Sequence, residues 1–155
     1  MLASSRSFTR KRPWRVCRWI HSPATPRLNS VNQHDLAHFA KILAPSSILS
    51  TLPPTSLPPA DLDQYNNDWM GKYHGSSNTV LKPRTTQEVS EIVKWCWDKR
   101  IGVVPQGGNT SLVGGSIPLN DEVIISLTNM SKVRSFDPIS GYFYCCCPCT
   151  CCKFK

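Results

Sequence analysis

Apolar and polar positions keep a regular rhythm in the second half of this chain and lose it in the first third. Thr79-Val80-Leu81-Lys82 is a short β-branched run that Pro83 closes, which predicts a strand. Thr85-Thr86-Gln87-Glu88 then supplies an S/T-x-x-E pattern, in which a hydroxyl and a carboxylate three residues apart can each take an orphan N–H at a helix start. Val89, Ile92, Val93 and Cys96 follow at i, i+3, i+4 and i+7, so they form one apolar stripe, with Glu91, Lys94 and Asp98 off it. Lys99 and Arg100 complement the negative end of that helix, and Gly102 is placed to take a left-handed stop. Val103-Val104 opens a second strand, Val123 to Leu127 a third, and Val133 to Asp137 a fourth that ends in the turn Asp137-Pro138-Ile139-Ser140-Gly141. Strand, helix and strand in that order need a crossover, which predicts parallel pairing and an α+β fold built on a small parallel β-α-β sheet with flanking helices.

Upstream the rhythm is broken by proline. Leu36, Phe39, Ala40 and Leu43 would suit two helical turns, but Pro45 follows, and then Pro53-Pro54 and Pro58-Pro59. Prolines at this density remove donors and fix φ, so residues 35–64 read as an extended Pro-rich connector, with the fold beginning near Tyr65. There, Tyr65-Asn66-Asn67-Asp68-Trp69-Met70 mixes polar and aromatic residues in the manner of a capped turn. Asp68, Trp69 and Lys72 are expected to cap and pack the edge of the domain.

Charge changes the picture at the N-terminus. Arg6, Arg10, Lys11, Arg12, Arg15, Arg18 and Arg27 all precede the first acid, Asp35, and removing those seven from the formal net charge of +8 leaves +1. A nearly neutral remainder argues against nucleic-acid binding, which needs Lys and Arg clustered on the folded part. Residues 1–34 are instead Arg-rich, Ser-containing and free of acid, with Leu2, Phe8, Trp14, Val16, Trp19 and Ile20 interleaved. That composition reads as a disordered mitochondrial targeting segment, which implies location in the matrix. Arginines interrupt every run that could serve as the apolar core of a secretory signal, about 7 to 15 residues long. No stretch approaches the roughly 20 apolar residues of a membrane span, so stable membrane insertion is not expected.

The candidate chemistry lies after the second strand. Val104-Pro105-Gln106-Gly107-Gly108-Asn109-Thr110-Ser111, with Gly114-Gly115 downstream, is a loop suited to an anion. Adjacent glycines can take positive φ and bring several N–H groups onto one concave face, while Asn109, Thr110 and Ser111 add short polar side chains. A Gly-rich turn between strands is the plain alternative. No Lys-Ser/Thr pair follows at Walker spacing, and the glycines do not spell G-x-G-x-x-G. The placement favours a ligand, because the carboxyl ends of parallel strands are where open α/β sheets gather theirs.

Three stretches together carry a family resemblance: Tyr65 to Met70, Leu81-Lys82-Pro83-Arg84-Thr85-Thr86-Gln87-Glu88-Val89, and Pro105 to Ser111 through Gly114-Gly115. The chain resembles, over roughly half its length and as far as Gly141, the mitochondrial D-2-hydroxyglutarate dehydrogenases of the FAD-linked oxidase group. The resemblance implies the first half of a PCMH-type FAD-binding domain over residues 65–141. It also implies FAD as cofactor, its pyrophosphate lying against Gln106, Gly107, Gly108, Asn109, Thr110, Ser111, Gly114 and Gly115. Gly107 and Gly108 would allow close approach, and Asn109, Thr110 and Ser111 would donate to phosphate oxygens. Ser111 stands where close relatives often carry Gly. The family reaction takes D-2-hydroxyglutarate to 2-oxoglutarate with hydride transfer to the flavin, and passes the electrons to a flavoprotein acceptor. The 2-hydroxyacid and that acceptor would be partners only of a full-length relative, because the substrate domain has no counterpart here. No residue of this chain takes a catalytic or metal-ligand role, and the chain alone is expected to be inactive. A related FAD-dependent D-lactate dehydrogenase would share fold and loop.

From Tyr142 the sequence departs from the family. Six of the eight cysteines lie in residues 142–155, and Cys146/Cys149 and Cys149/Cys152 are formally C-x-x-C. The tract is low in complexity and has no second ligand pair at zinc-finger distance, so it reads as a divergent end of a shortened product, from a frameshift or intron, ahead of a Cys-rich metal-binding protein. Cys96, on the apolar helix stripe, does not read as a nucleophile.

Overall fold

The computed structural model describes residues 28–145; the basic segment up to residue 27 and the cysteine tail from residue 146 lie outside them. The elements are α1 (Gln33–Ile42), β1 (Ile48–Ser50), α2 (Asp63–Asn66), β2 (Thr79–Leu81), α3 (Thr86–Lys99), β3 (Val103–Gln106), β4 (Val123–Ser126), β5 (Val133–Phe136) and β6 (Phe143–Cys145).

Four strands form one mixed sheet in the order β1-β2-β4-β3. β4 lies between the two strands that α3 connects and pairs parallel with both, Val80 opposite Ile124 and Gln106 opposite Ser126. The expected parallel crossover is therefore present, with one strand inserted. β1 adds an antiparallel edge, Ile48 opposite Leu81. Alternate residues face opposite sides. Leu81, Val123 and Ile125 pack with Leu36, Phe39, Ile92 and Cys96 of α1 and α3, while Val80 and Ile124 meet Leu62 on the other face. Cover on both faces explains why Val123-Ile124-Ile125 is uninterruptedly apolar.

The structure corrects the reading of residues 35–64 as an extended connector and of Tyr65 as the start of the fold. Leu36, Phe39 and Leu43 are buried, so the stripe that Pro45 seemed to cut short is a packed helix. Its start is a reciprocal capping box: the Asp35 N–H donates to Asn32 Oδ1 and the Asn32 N–H to Asp35 Oδ2, each at 3.1 Å. Pro45 does not break α1; it opens a one-turn 3-10 segment, Pro45–Ser47, that leads into β1. Order also reaches further upstream than Asp35. The Asn29 N–H donates to Arg100 O and its Nδ2 to Lys99 O, both at 2.8 Å, so residues 29–34 of the expected targeting segment belong to the fold.

Helix α3 starts at the predicted Thr85 cap, ends before the predicted stop, and presents an altered face. The Thr85 hydroxyl accepts the Glu88 N–H at 3.2 Å, but the Glu88 carboxylate reaches the Arg84 N–H at 2.6 Å, one residue before the cap. Ile92 and Cys96 are buried, whereas Val93 is 45% exposed. Trp95 takes the contact with α1 instead: its indole N–H donates to Asp35 Oδ1 at 3.1 Å, and its ring stacks on His38 at 3.6 Å between centroids. The left-handed stop falls on Arg100, with φ 53° and ψ 41°. Gly102 serves a different need, since a Cβ there would sit 2.6 Å from the Glu122 side chain. At the far end, β5 and β6 form a separate hairpin with Phe136 opposite Phe143, so residues 143–145, assigned to the divergent tail, continue the fold as a strand.

Candidate functional site

The loop that follows β3 leaves the carboxyl end of an edge strand and returns to β4 through Ile117 and Pro118, both buried. Its left-handed positions are Asn109 (φ 53°), Gly114 (φ 71°) and, just before β4, Asp121 (φ 58°), and not the expected Gly107-Gly108 pair. Asn is among the few residues that reach this region without large strain, and Gly114 has a second reason to lack a side chain, since a Cβ would lie 2.9 Å from the Tyr73 ring.

The polar side chains divide into two sets. Gln106 and Asn109 face inward. Gln106 is 3% exposed, and its Nε2 donates to Tyr65 O at 2.9 Å and to Ser116 O at 3.0 Å. Asn109 Nδ2 donates to Asn67 O at 2.7 Å, and its Oδ1 accepts the Ser116 hydroxyl at 2.7 Å. These two amides therefore help to hold the loop's own shape, and one of the two Asn109 Nδ2 hydrogens, the one given to Asn67 O, is taken by the protein itself. Ser111 Oγ accepts the Gly115 N–H at 3.1 Å and the Val113 N–H at 3.4 Å, which leaves its own O–H to donate outward. Thr110 is exposed and has no hydrogen-bond partner among the described residues.

The backbone supplies the rest. Among the described residues, the N–H groups of Gly108, Asn109, Thr110, Ser111 and Leu112 make no hydrogen bond. Five consecutive N–H groups without a partner, beside two hydroxyls, are available to a ligand, and each backbone N–H carries fixed partial positive charge. That donor set fits a diphosphate. It contains no acid or base, so it can bind and orient but cannot move a proton.

Residues 66–77 back this loop. Asp68 is buried; its Oδ1 accepts the Lys72 N–H at 2.7 Å and the Tyr73 N–H at 2.9 Å. These donors, Tyr73 first, hold the Asp68 carboxyl below the usual carboxylate range against the opposing effect of burial. Its Oδ2 is buried without a partner. The capping role expected of Asp68 is what the geometry shows, while Trp69 stands 62% exposed and Lys72 lies over the Tyr73 ring at 5.3 Å. Sequence reasoning missed Asn67, Tyr73 and Ser116 as partners of the loop. Asn67 and Asn109 are 42 positions apart, and no local pattern links them.

A surface hollow of about 270 Å³ lies elsewhere, between α1 and α3, lined by His38, Glu91 and Trp95 among others. Burial, followed by the positive charges of Lys41 and His34, pushes the His38 imidazole below its ordinary value. Burial likewise pushes the Cys96 thiol up to about 12, leaving it protonated and unreactive.

Comparison with known proteins gives a consistent result. A family model described as FAD binding domain matches residues 77–145, past the Gly141 limit of the resemblance. A D-2-hydroxyglutarate–pyruvate transhydrogenase of Saccharomyces cerevisiae is 50% identical over 77% of this chain and 23% of its own length. A mitochondrial D-2-hydroxyglutarate dehydrogenase of Arabidopsis thaliana is 43% identical over 77% and 20%. A Schizosaccharomyces pombe protein with the provisional name of a mitochondrial D-lactate dehydrogenase is 42% identical over 83% and 27%. The chain thus spans about a quarter or less of the length of these relatives. In three dimensions it is similar to alkyldihydroxyacetonephosphate synthase, with TM-score 0.57 and 14% identity over 72% of this chain and 22% of that one. It is also similar to p-cresol methylhydroxylase, with TM-score 0.54 and 20% identity over 70% and 21%; at these identities the likeness concerns the fold alone. The chain belongs to the FAD-linked oxidase group, carrying part of a PCMH-type FAD-binding domain whose sequence is similar to that of the D-2-hydroxyglutarate dehydrogenases.

Proposed function

We propose that the loop after β3 is one wall of the FAD pyrophosphate cradle in a D-2-hydroxyacid dehydrogenase. The observation that carries this reading is the run of unpartnered N–H groups from Gly108 to Leu112 at the end of a sheet strand, inside the segment that matches an FAD-binding domain. Those N–H groups, with the Thr110 and Ser111 hydroxyls, would bind and orient the diphosphate. Gly107 and Gly108 would give it close approach, and Gly114 and Gly115 would keep the turn narrow. Gln106 and Asn109 would act from behind. Bound FAD would accept the hydride released from the α-carbon of the hydroxyacid. The base that takes the hydroxyl proton is assigned to the part of the relatives that this chain does not span.

D-2-hydroxyglutarate is the substrate we assign to the complete relative, on the names of the Saccharomyces and Arabidopsis proteins. The Schizosaccharomyces relative favours D-lactate as the second reading. Because several relatives are named mitochondrial, we assign this chain to mitochondria, and its basic N-terminal segment supports delivery to the matrix.

One wall gives little surface to hold a cofactor against the cost of ordering it. The recombinant 155-residue chain should purify colourless, should bind added FAD weakly, and should not reduce a dye with D-2-hydroxyglutarate or D-lactate. Binding should weaken when Thr110→Val removes a donor. A complete lack of FAD binding at millimolar concentration would refute the cradle, and dye reduction would refute the assignment of catalysis to other residues.

A further inference from the structure

We propose that Ser116 and Asn67 position the phosphate-facing loop through Asn109, as a clasp that sets its donors outward before any ligand arrives. This rests on the reading of that loop as a phosphate cradle, but the clasp is visible without a ligand.

The bonds form a continuous chain. The Ser116 hydroxyl donates to Asn109 Oδ1 at 2.7 Å, and Asn109 Nδ2 donates to the Asn67 carbonyl at 2.7 Å. Ser116 O in turn accepts Gln106 Nε2, which also holds Tyr65 O. Both ends of the loop are thereby tied to the 65–67 segment. That segment is itself fixed: Asn66 Oδ1 accepts the Ser77 N–H at 2.9 Å, and His74 Nδ1 lies 2.6 Å from Asn67 Oδ1. Tyr73 closes the contact, its ring filling the space that a side chain at Gly114 would need.

The arrangement has a direct consequence at the donors. Asn109 holds a left-handed backbone, a conformation that Asn tolerates, and the two hydrogen bonds of its side-chain amide fix it there. With its amide pinned on both sides, the loop cannot turn Gly108 to Leu112 inward to satisfy their N–H groups on protein carbonyls. Unsatisfied donors are costly where water is scarce and tolerable where an anion or water meets them, so the clasp keeps the loop receptive. Ser116 is 8% exposed and reaches the ligand face only through Asn109, which makes it a positioning residue. A loop already fixed in its bound shape loses less freedom on binding, and that difference appears as affinity.

The test uses the full chain, inorganic pyrophosphate as the probe, and backbone 15N order parameters as the readout that needs no ligand. In the native chain, Gly108 to Leu112 should show order parameters of about 0.85, and Ser116→Ala should lower them below about 0.6. Values along α3 should not change. Pyrophosphate affinity should fall about tenfold in Ser116→Ala, as expected when a partly buried acceptor loses its donor. Ser116→Thr, which keeps the hydroxyl, should restore both. If Ser116→Ala loses the fold, the half-buried Asn109→Ala carries the same comparison. Unchanged order parameters in these variants would overturn the clasp, whatever pyrophosphate does. A loop loosened by Ser116→Ala in a chain whose native form ignores pyrophosphate would support the clasp and refute the phosphate reading.

Discussion

The α1–α3 side of the sheet and the loop at the end of β3 are held together by different physics. On the first, Leu36, Phe39, Ile92, Cys96, Val123 and Ile125 meet in one apolar cluster. On the second, Gln106, Asn109, Ser116 and Asp68 tie backbone to side chain, and few large apolar groups take part. Apolar packing is non-directional and tolerates small shifts, whereas a hydrogen-bonded clasp sets the direction of each N–H it supports. The directional interactions are found where a ligand would need them.

Breaking the apolar side should have the largest effect. Phe39 is fully buried, and Phe39→Ala should cost about 3–5 kcal/mol, enough to unfold a small domain, as read from the urea midpoint. Gln106→Leu should cost less, about 1–3 kcal/mol, because it leaves the Tyr65 and Ser116 carbonyls unpaired but opens no large cavity. Its main effect should be local, with faster proteolysis in residues 107–116 at a midpoint above that of Phe39→Ala.

Acid should separate the two regions. The His38 imidazole in the fold lies below its ordinary value of 6.5, so its contribution is present above that pH and is lost as pH falls through the folded value. The Asp68 carboxyl also lies below its ordinary value of 3.8, so the turn that backs the loop should weaken only below that pH. Trp95 fluorescence, reporting the His38 stack, should therefore change at higher pH than NMR shifts of Lys72 and Tyr73 amides. The smallest effect concerns Cys96: with its thiol pushed up to about 12, mass mapping at pH 8.5 should find it unmodified by iodoacetamide in the folded chain and modified in urea.

What was legible in the sequence follows the same division. A 3.6-residue period locates α3, and short β-branched runs locate β2, β3 and β4, where cover on both faces of the sheet removes the alternation. The same helical period holds at Leu36, Phe39 and Leu43 despite the proline density that follows, because Pro45 comes after the helix instead of interrupting it. Val93 was misassigned because periodicity gives the stripe its angle but not which neighbour, here α1, the stripe meets. At the loop, Gly-Gly-Asn-Thr-Ser marks the stretch we propose for the anion, yet only the fold separates Thr110, exposed and without a hydrogen-bond partner among the described residues, from Gln106 and Asn109, which face the carbonyls of Tyr65 and Asn67. Partners about 40 positions away leave no local signature. The ties from Asn29 to Arg100 and Lys99 also place a constraint on maturation: removal of a targeting segment should cut before residue 28, a boundary that N-terminal sequencing of imported protein would read.

The central claim, that this loop receives the diphosphate of FAD, is tested most directly by titrating the 15N-labelled full chain with FAD and, in parallel, with riboflavin, which has the ring but no diphosphate. The account predicts that FAD shifts the amides of Gly108 to Leu112 while riboflavin leaves them in place, with α1 and α3 unaffected by either. Equal shifts from both ligands, or FAD shifts that fall in the hollow beside His38 and Trp95 and spare the loop, would contradict it.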